Sequence, residues 1–240
     1  MKIVEYSANG NTFLIFDSMT NLLGDDTKRD LILNYITDQD GAIFVEKSGQ
    51  DFFMDYFNRD GKRAIFCGNG ARAFVAFLRD EGFLKDDHLI FHTKSGTLKG
   101  FIQKEKISVQ MPGPIYLGKR VVEEFEGHLI RVGVLHFVLK VKSVDRMDVI
   151  HEGKRLRALT DANIDFYQIL EKNCVKMRTF EKGVERETKA CGSGAAAVFS
   201  ICQTDRLLVE VPGGILCVYI NGDSIFLQGE VRRCKIILPR

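Results

Sequence analysis

The segment Cys67-Gly68-Asn69-Gly70-Ala71-Arg72-Ala73 returns as Cys191-Gly192-Ser193-Gly194-Ala195-Ala196-Ala197, 124 positions later in a chain of 240 residues. Each copy opens an apolar run, Phe74-Val75-Ala76-Phe77-Leu78 in the first and Val198-Phe199-Ser200-Ile201-Cys202 in the second. Phe57-Asn58 precedes the first cysteine by nine to ten positions, and Phe180-Glu181 precedes the second by ten to eleven. Two copies with matching flanks predict two similarly built halves. The runs are apolar on nearly every face, and a helix of that kind must be surrounded by protein.

The remainder reads as many short strands with few helices. Val-, Ile- and Phe-rich runs, from 1–6 and 12–17 through 215–220, 224–228 and 231–238, are separated by turn signals such as Asn221-Gly222-Asp223. One amphipathic helix is predicted over about 26–36, and Gly82 supplies a stop for the helix that follows Cys67. Met111-Pro112-Gly113-Pro114 is the one candidate boundary. The expected fold is α/β (α+β): a curved mixed sheet wrapped around one central helix, built twice.

Apolar residues make up 45% of the chain and charged residues 28%, which predicts a folded core rather than disorder. Thirty-four Lys and Arg against thirty-two Asp and Glu leave +2, with no run of five like charges. That balance argues against nucleic acid or an anionic membrane as the main partner. No stretch nears the roughly eighteen apolar residues of a membrane span, and Met1-Lys2-Ile3-Val4-Glu5 lacks the apolar core of a signal peptide. A cytoplasmic protein is expected. Its six cysteines form no Cys-x-x-Cys pair, so no metal site is predicted, and a reducing compartment disfavours disulfides. Cys174, Cys202, Cys217 and Cys234 sit in apolar runs and read as small core hydrophobes.

Cys67 and Cys191 read differently. Asn69 and Ser193 are favoured N-cap residues, which sets each cysteine just ahead of a helix start. The positive end of the helix dipole favours a thiolate there and lowers a cysteine pKa from about 8.5, in favourable cases to 3.5–7.5. The same N–H groups can hold a carboxylate. Neither copy carries the Gly-Lys-Ser/Thr of a phosphate loop, and the dinucleotide fingerprint fails for want of a third glycine. None of the five histidines (88, 92, 128, 136 and 151) is placed by the repeat, so nucleophilic acyl transfer has no support. Two equivalent thiols suit stereoinversion at a carbon acid instead. One thiolate removes the proton, the opposite thiol delivers another, and two helix N-termini stabilise the charge developing on the substrate carboxylate. No pyridoxal lysine motif or metal cluster is evident, so no cofactor is expected.

At these residues the chain resembles the diaminopimelate epimerase family of two-cysteine, pyridoxal-independent epimerases. The resemblance runs through Ala8-Asn9-Gly10-Asn11-Thr12-Phe13, then Phe57-Asn58-Arg59-Asp60-Gly61 with the first cysteine motif. It continues in Asn163-Ile164-Asp165-Phe166, then in Phe180-Glu181-Lys182-Gly183 leading to Glu187-Thr188-Lys189-Ala190 and the second motif. It implies two pseudo-symmetric domains: 1–112 with a returning strand at about 231–240, carrying Cys67, and 113–230, carrying Cys191. It implies that Cys67 and Cys191 are the acid/base pair, and that Asn11, Asn58, Gly68, Asn69, Asn163, Glu181, Lys182, Gly192 and Ser193 bind substrate. His136 supports the site. It further implies a homodimer acting on a small amino acid, with LL-diaminopimelate converted to the meso form for lysine and peptidoglycan precursors.

The chain also departs from the family pattern. Gly-Asn-Pro-His is Gly133-Val134-Leu135-His136 here, and Glu-Arg-Gly is Glu181-Lys182-Gly183; Ala8 and Thr12 differ as well. The family arginine grips the carboxylate at the far end of the substrate, and lysine cannot reproduce its bidentate fork. Two alternatives therefore stand beside the first reading. One is a related two-cysteine racemase or epimerase for another amino acid or a proline-type substrate. The other is a non-catalytic amino-acid-binding or redox-responsive protein whose paired thiols form a reversible disulfide.

Overall fold

A computed structural model describes residues 1–104 and 106–238; positions 239 and 240, the end of the predicted returning strand, lie outside the described residues. The chain falls into two compact units. The first holds Met1–Gln110 together with the residues from Gln228 on, and the second holds Met111–Leu227. The first unit contains β1 (Ile3–Ala8), β2 (Asn11–Asp17), α1 (Asp25–Tyr35), β3 (Gly41–Ser48), β4 (Asp51–Asn58), α2 (Gly68–Asp80), β5 (His88–Thr93), β6 (Gly96–Gln103) and β7 (Lys106–Gln110). The second contains β8 (Ile115–Val122), β9 (Phe125–Val132), β10 (Val134–Lys140), α3 (Val149–Thr160), β11 (Asn163–Glu171), β12 (Cys174–Glu181), β13 (Arg186–Thr188), α4 (Gly192–Ile201), β14 (Arg206–Val211) and β15 (Gly214–Asn221). A last strand, β16 (Ser224–Ile237), begins in the second unit's segment and supplies its later residues to the first.

The first unit is a closed barrel. β1 and β2 form a hairpin through Asn9 and Gly10, both left-handed (φ 48° and 83°), the conformation that two-residue hairpin turns require. β2–β3 and β4–β5 are parallel pairs joined through α1 and α2, and the other pairs are antiparallel. β16 lies between β7 and β1, completing eight strands. Every residue of α2 from Gly68 to Leu78 is buried, and the helix packs against β1, β2, β3, β4 and β7. It ends as predicted at Gly82 (φ 73°), where Phe83 N–H reaches the Leu78 carbonyl at 2.9 Å.

The second unit repeats the device. β10–β11 and β12–β14 are parallel pairs spanned by α3 and α4, with β9, β8 and β15 added antiparallel and β13 beside β12. α4 is apolar and packs against β9, β10, β11, β14 and β15. The predicted mixed α/β architecture, with a helix enclosed by sheet in each half, is the one observed. No helix among the described residues is long and apolar enough to cross a membrane.

Sequence reasoning left β8, β11, β13 and α3 unassigned and divided β16 at Gly229-Glu230. The strand runs on because Gly229 is a point of close approach rather than a turn. A Cβ there would collide with Arg72 Nη1 and Asn9 Oδ1.

Candidate active site

At the head of α2 the N-cap is Cys67 itself. Its backbone is extended, and its Sγ accepts a hydrogen bond from Gly70 N–H at 3.4 Å. Asn69, expected as the cap, is instead the second residue of the helix, and its side chain faces inward. Asn69 Nδ2 donates to Asn11 Oδ1 at 2.6 Å, and Asn11 Nδ2 donates to Asp40 Oδ2 at 3.2 Å. Arg72 completes the cluster, donating from Nη2 to Asn69 Oδ1 at 2.6 Å and from Nη1 to Asn9 Oδ1 at 2.7 Å. Arg72 is fully buried, and its Nε has no hydrogen-bond partner among the described residues. Burial pushes the Arg72 pKa down to about 9, against the pull of the Cys67 sulfur. Sequence reasoning treated Arg72 only as a motif letter. The signal was there: a cation one residue ahead of the apolar run Ala73–Leu78, in the part of the helix that is buried throughout.

At the head of α4 the geometry recurs. Cys191 is the N-cap in place of Ser193, and its Sγ accepts from Gly194 N–H at 3.4 Å. The Ser193 hydroxyl lies 3.6 Å from the same sulfur. The first N–H groups of both helices have no intrahelical acceptor, which leaves the positions of Gly68, Gly192 and Ser193 suited to an anion.

Sheet register carries buried polar groups to Cys191. β10 and β11 are parallel with His136 opposite Asn163, while Asp165 lies directly opposite Thr179 on β12. Alternate residues of a strand share a face, so Asp165 projects on the same side as Asn163. Its Oδ2 lies 2.6 Å from His136 Nδ1, and Thr179 Oγ1 donates to its Oδ1 at 2.7 Å. His136 and Asp165 are both fully buried. A His136 ring nitrogen, an Asp165 oxygen and Cys191 Sγ all lie within 4.8 Å of one another. Asp165 already serves two protein donors, which leaves one nitrogen and one sulfur for an ion, short of the four ligands of a structural zinc site.

The expected lowering of the thiol pKa by the helix terminus fails at Cys191. Its proton is held well above the usual thiol range, first because burial disfavours the charged sulfur, then because Glu181 and Asp165 repel it. The Ser193 hydroxyl and Gly194 N–H pull the other way and do not prevail.

The remaining predicted residues divide. Glu181, at the end of β12, accepts from Thr188 Oγ1 at 2.9 Å and acts electrostatically on Cys191. Asn163 is buried and doubly engaged: Nδ2 donates to the Leu135 carbonyl at 3.4 Å, and Oδ1 accepts from Lys182 N–H at 2.8 Å. Lys182 Nζ grips the Asp161 carboxylate at 2.6 Å, and Arg157 reaches the same carboxylate at 2.9 Å. The Lys182 hydrogen bond holds the Asp161 pKa below the usual carboxylate range. Asn58, half-buried at the end of β4, makes no side-chain hydrogen bond among the described residues, and Val134 is exposed at the start of β10. All six cysteines are free thiols. Cys217 is buried as expected, Cys174 and Cys202 are half-buried, and Cys234 is exposed at the register shift between β16 and β1, in a run from Arg232 to Ile236 that is exposed throughout.

The sequence model of the diaminopimelate epimerase family matches residues 3–117. A diaminopimelate epimerase from Thermotoga maritima is 44% identical over 234 residues, 96% of this chain and 98% of that one. The chain belongs to the diaminopimelate epimerase family. It is an isomerase of the racemase and epimerase kind. The same fold occurs in distant members of the wider architecture. A phenazine biosynthesis protein of the PhzF family from Bacillus anthracis aligns with TM-score 0.80 at 18% identity, over 99% of this chain and 98% of that one. A probable proline racemase from Agrobacterium radiobacter aligns with TM-score 0.77 at 11% identity, over 100% and 92%.

Proposed function

We propose that this family member inverts the α-carbon of LL-diaminopimelate to give the meso isomer by two-thiol acid/base catalysis, without a cofactor. The observation that carries the reading is the duplicated cap: two cysteines, each seated at the N-terminus of a buried helix with Sγ 3.4 Å from the third N–H. In this scheme Cys67 and Cys191 address opposite faces of the substrate. One thiolate takes the α-proton as the Cα–H bond breaks, and the other thiol protonates the carbanion from the far side. The N–H groups of Gly68, Asn69, Gly192 and Ser193 hold the carboxylate on which charge accumulates, each worth about 2.7–4 kcal/mol in comparable sites. Asn11, Asn58, Asn163, Glu181 and Lys182 orient the substrate, and His136 supports Cys191. A homodimer in the cytoplasm, supplying lysine and peptidoglycan precursors, belongs to the same reading, and sedimentation at working concentration tests the dimer.

Incubation with LL-diaminopimelate in deuterated water is the test. The parent chain incorporates deuterium at the α-carbon and yields the meso isomer, whereas Cys67→Ala and Cys191→Ala each abolish turnover. Full turnover in either variant defeats the scheme.

A second reading keeps the chemistry and changes the substrate, to another amino acid or a proline-type imino acid. It is favoured by Lys182, whose ammonium is tied to Asp161, and by Val134 in place of an asparagine. A chain inert to diaminopimelate that racemises a single amino acid decides for this second reading.

A further inference from the structure

The second unit holds a pocket of about 270 Å³ at the tail of α4, the end remote from Cys191. One face of β11 leads into it. A Cβ at Gly194 would run into Asp165 at the head of α4, and alternate strand residues carry that face on to Tyr167 and Ile169. Tyr167 is only 6% exposed, and its hydroxyl makes no hydrogen bond among the described residues. The tail of α2 in the first unit is closed differently. There the helix runs thirteen residues, and its last, Asp80, accepts from the buried Tyr6 hydroxyl at 2.9 Å. α4 has ten residues, so it stops about 4.5 Å short of that length. The shortfall leaves a phenol without an acceptor and open space beside it.

Lys140, at the end of β10, and Cys202, the C-cap of α4, line the same pocket. Burial raises the Cys202 pKa with Lys140 pulling against it, and burial and the Cys202 sulfur both raise that of Tyr167. Oxygen, sulfur and ammonium therefore share one neighbourhood. Neither the Lys140 nor the Lys172 ammonium makes an ion pair or hydrogen bond among the described residues, and the two outnumber Glu171 among the exposed lining residues. The negative end of α4 is muted, because the Ala197 and Phe199 carbonyls accept from Ser200 Oγ at 2.7 Å and Cys202 N–H at 3.1 Å. We infer that this pocket binds a small monocarboxylate with an apolar body. The carboxylate accepts from the Tyr167 hydroxyl, supplying the bond that a buried donor otherwise lacks, and pairs with Lys140. The apolar body lies on Ile169, Ile201 and Leu207. At about 1.5 Å per residue, α4 sets this site some 15 Å from Cys191, so it is separate from the candidate active site.

Hexanoate is the probe, and alkylation of Cys202 is the reading. Iodoacetamide labels the folded chain, and mass spectrometry follows the Cys202 peptide apart from those of Cys67 and Cys191. For a ligand of about eight heavy atoms the expected Kd is of order millimolar. At about ten times that concentration hexanoate should slow Cys202 labelling roughly tenfold. Hexylammonium and inorganic phosphate should leave the rate unchanged. Tyr167→Phe and Lys140→Met should each raise the Kd for hexanoate about fivefold or more, every variant being compared with its own unliganded rate. Tyr167→Phe deletes an oxygen that the fold does not use and Lys140 is exposed, so both variants should unfold thermally with the parent. Absence of protection by hexanoate, equal protection by hexylammonium, or protection by phosphate alone overturns the inference. So does a Tyr167→Phe chain that hexanoate protects as well as the parent. Labelling needs no turnover, so a chain inert to diaminopimelate would remove the epimerase reading and leave this one to its own result.

Discussion

Arg72 Nη2 donates to Asn69 Oδ1 at 2.6 Å, and through that bond a fully buried guanidinium sets the face that Asn69 turns to Asn11. Replacing Arg72 by leucine removes the hydrogen bonds it donates to the buried Asn69 and Asn9 oxygens, and losing a buried bond of this kind costs about 1–3 kcal/mol. The expected result is a loss of about 2–4 kcal/mol in urea unfolding and a fall in kcat/KM of tenfold or more. Lysine at this position does not restore either quantity, because one ammonium cannot span the planar fork that reaches Asn9 and Asn69 together.

The two repeat glycines are unequal. A Cβ at Gly70 would meet the flexible Met54 Cε at 3.3 Å, whereas one at Gly194 meets the Asp165 carboxylate, pinned by Thr179 and His136. Gly194→Ala therefore costs more than Gly70→Ala, by about 1–3 kcal/mol, and loses turnover out of proportion to stability. Thermal unfolding and turnover of the two variants, measured side by side, check the asymmetry.

Under the proposed function Lys182 meets a distal substrate carboxylate, and Asp161 neutralises its ammonium. Asp161→Asn keeps a residue tolerant of its left-handed backbone (φ 55°) and releases Lys182 and Arg157. KM for diaminopimelate should fall severalfold at low salt with kcat unchanged. An unchanged KM takes Lys182 out of the substrate-binding set.

The raised proton affinity of Cys191 predicts an alkaline weakness. Above about pH 8.5 the unfolded thiol ionises, while the folded one keeps its proton, so the folded chain binds more protons than the unfolded. Stability then falls as pH rises, by up to about 1.4 kcal/mol per pH unit, until the folded group itself lets go. Cys191→Ala should flatten that decline and leave stability below pH 8 without this dependence. Urea unfolding over a pH series reads it directly.

The elements legible in the sequence were those whose pattern the sheet or helix enforces on both sides. α2 is buried from Gly68 to Leu78 and α4 from Gly194 to Phe199, so their apolar runs announced them. β8 was hidden because it is largely exposed, and its residues Gly118-Lys119-Arg120 carry no alternation. α3 buries only Val149, Gly153 and Leu156, a stripe too thin to stand out among its charges; Asp148, whose Oδ1 accepts from His151 N–H at 3.0 Å, was its one clear start signal. Motif spacing found both cysteines. It placed their caps two positions late, since asparagine and serine are the usual capping residues and a thiol is not. Asp165 and Arg72 escaped because their partners come from strand register and from a residue far along the chain, neither of which a local window contains.

β16 runs from Ser224 to Ile237 without a break, and its final residues fill the gap between β7 and β1. During synthesis the amino-terminal strands emerge first yet cannot seal their cylinder until the entire second unit has been made. Through that interval the margins of β1 and β7 are open to pairing with other nascent chains. The half that starts translation is thus the half that finishes folding, and a ribosome stalled within the second unit would release it with its edges unprotected.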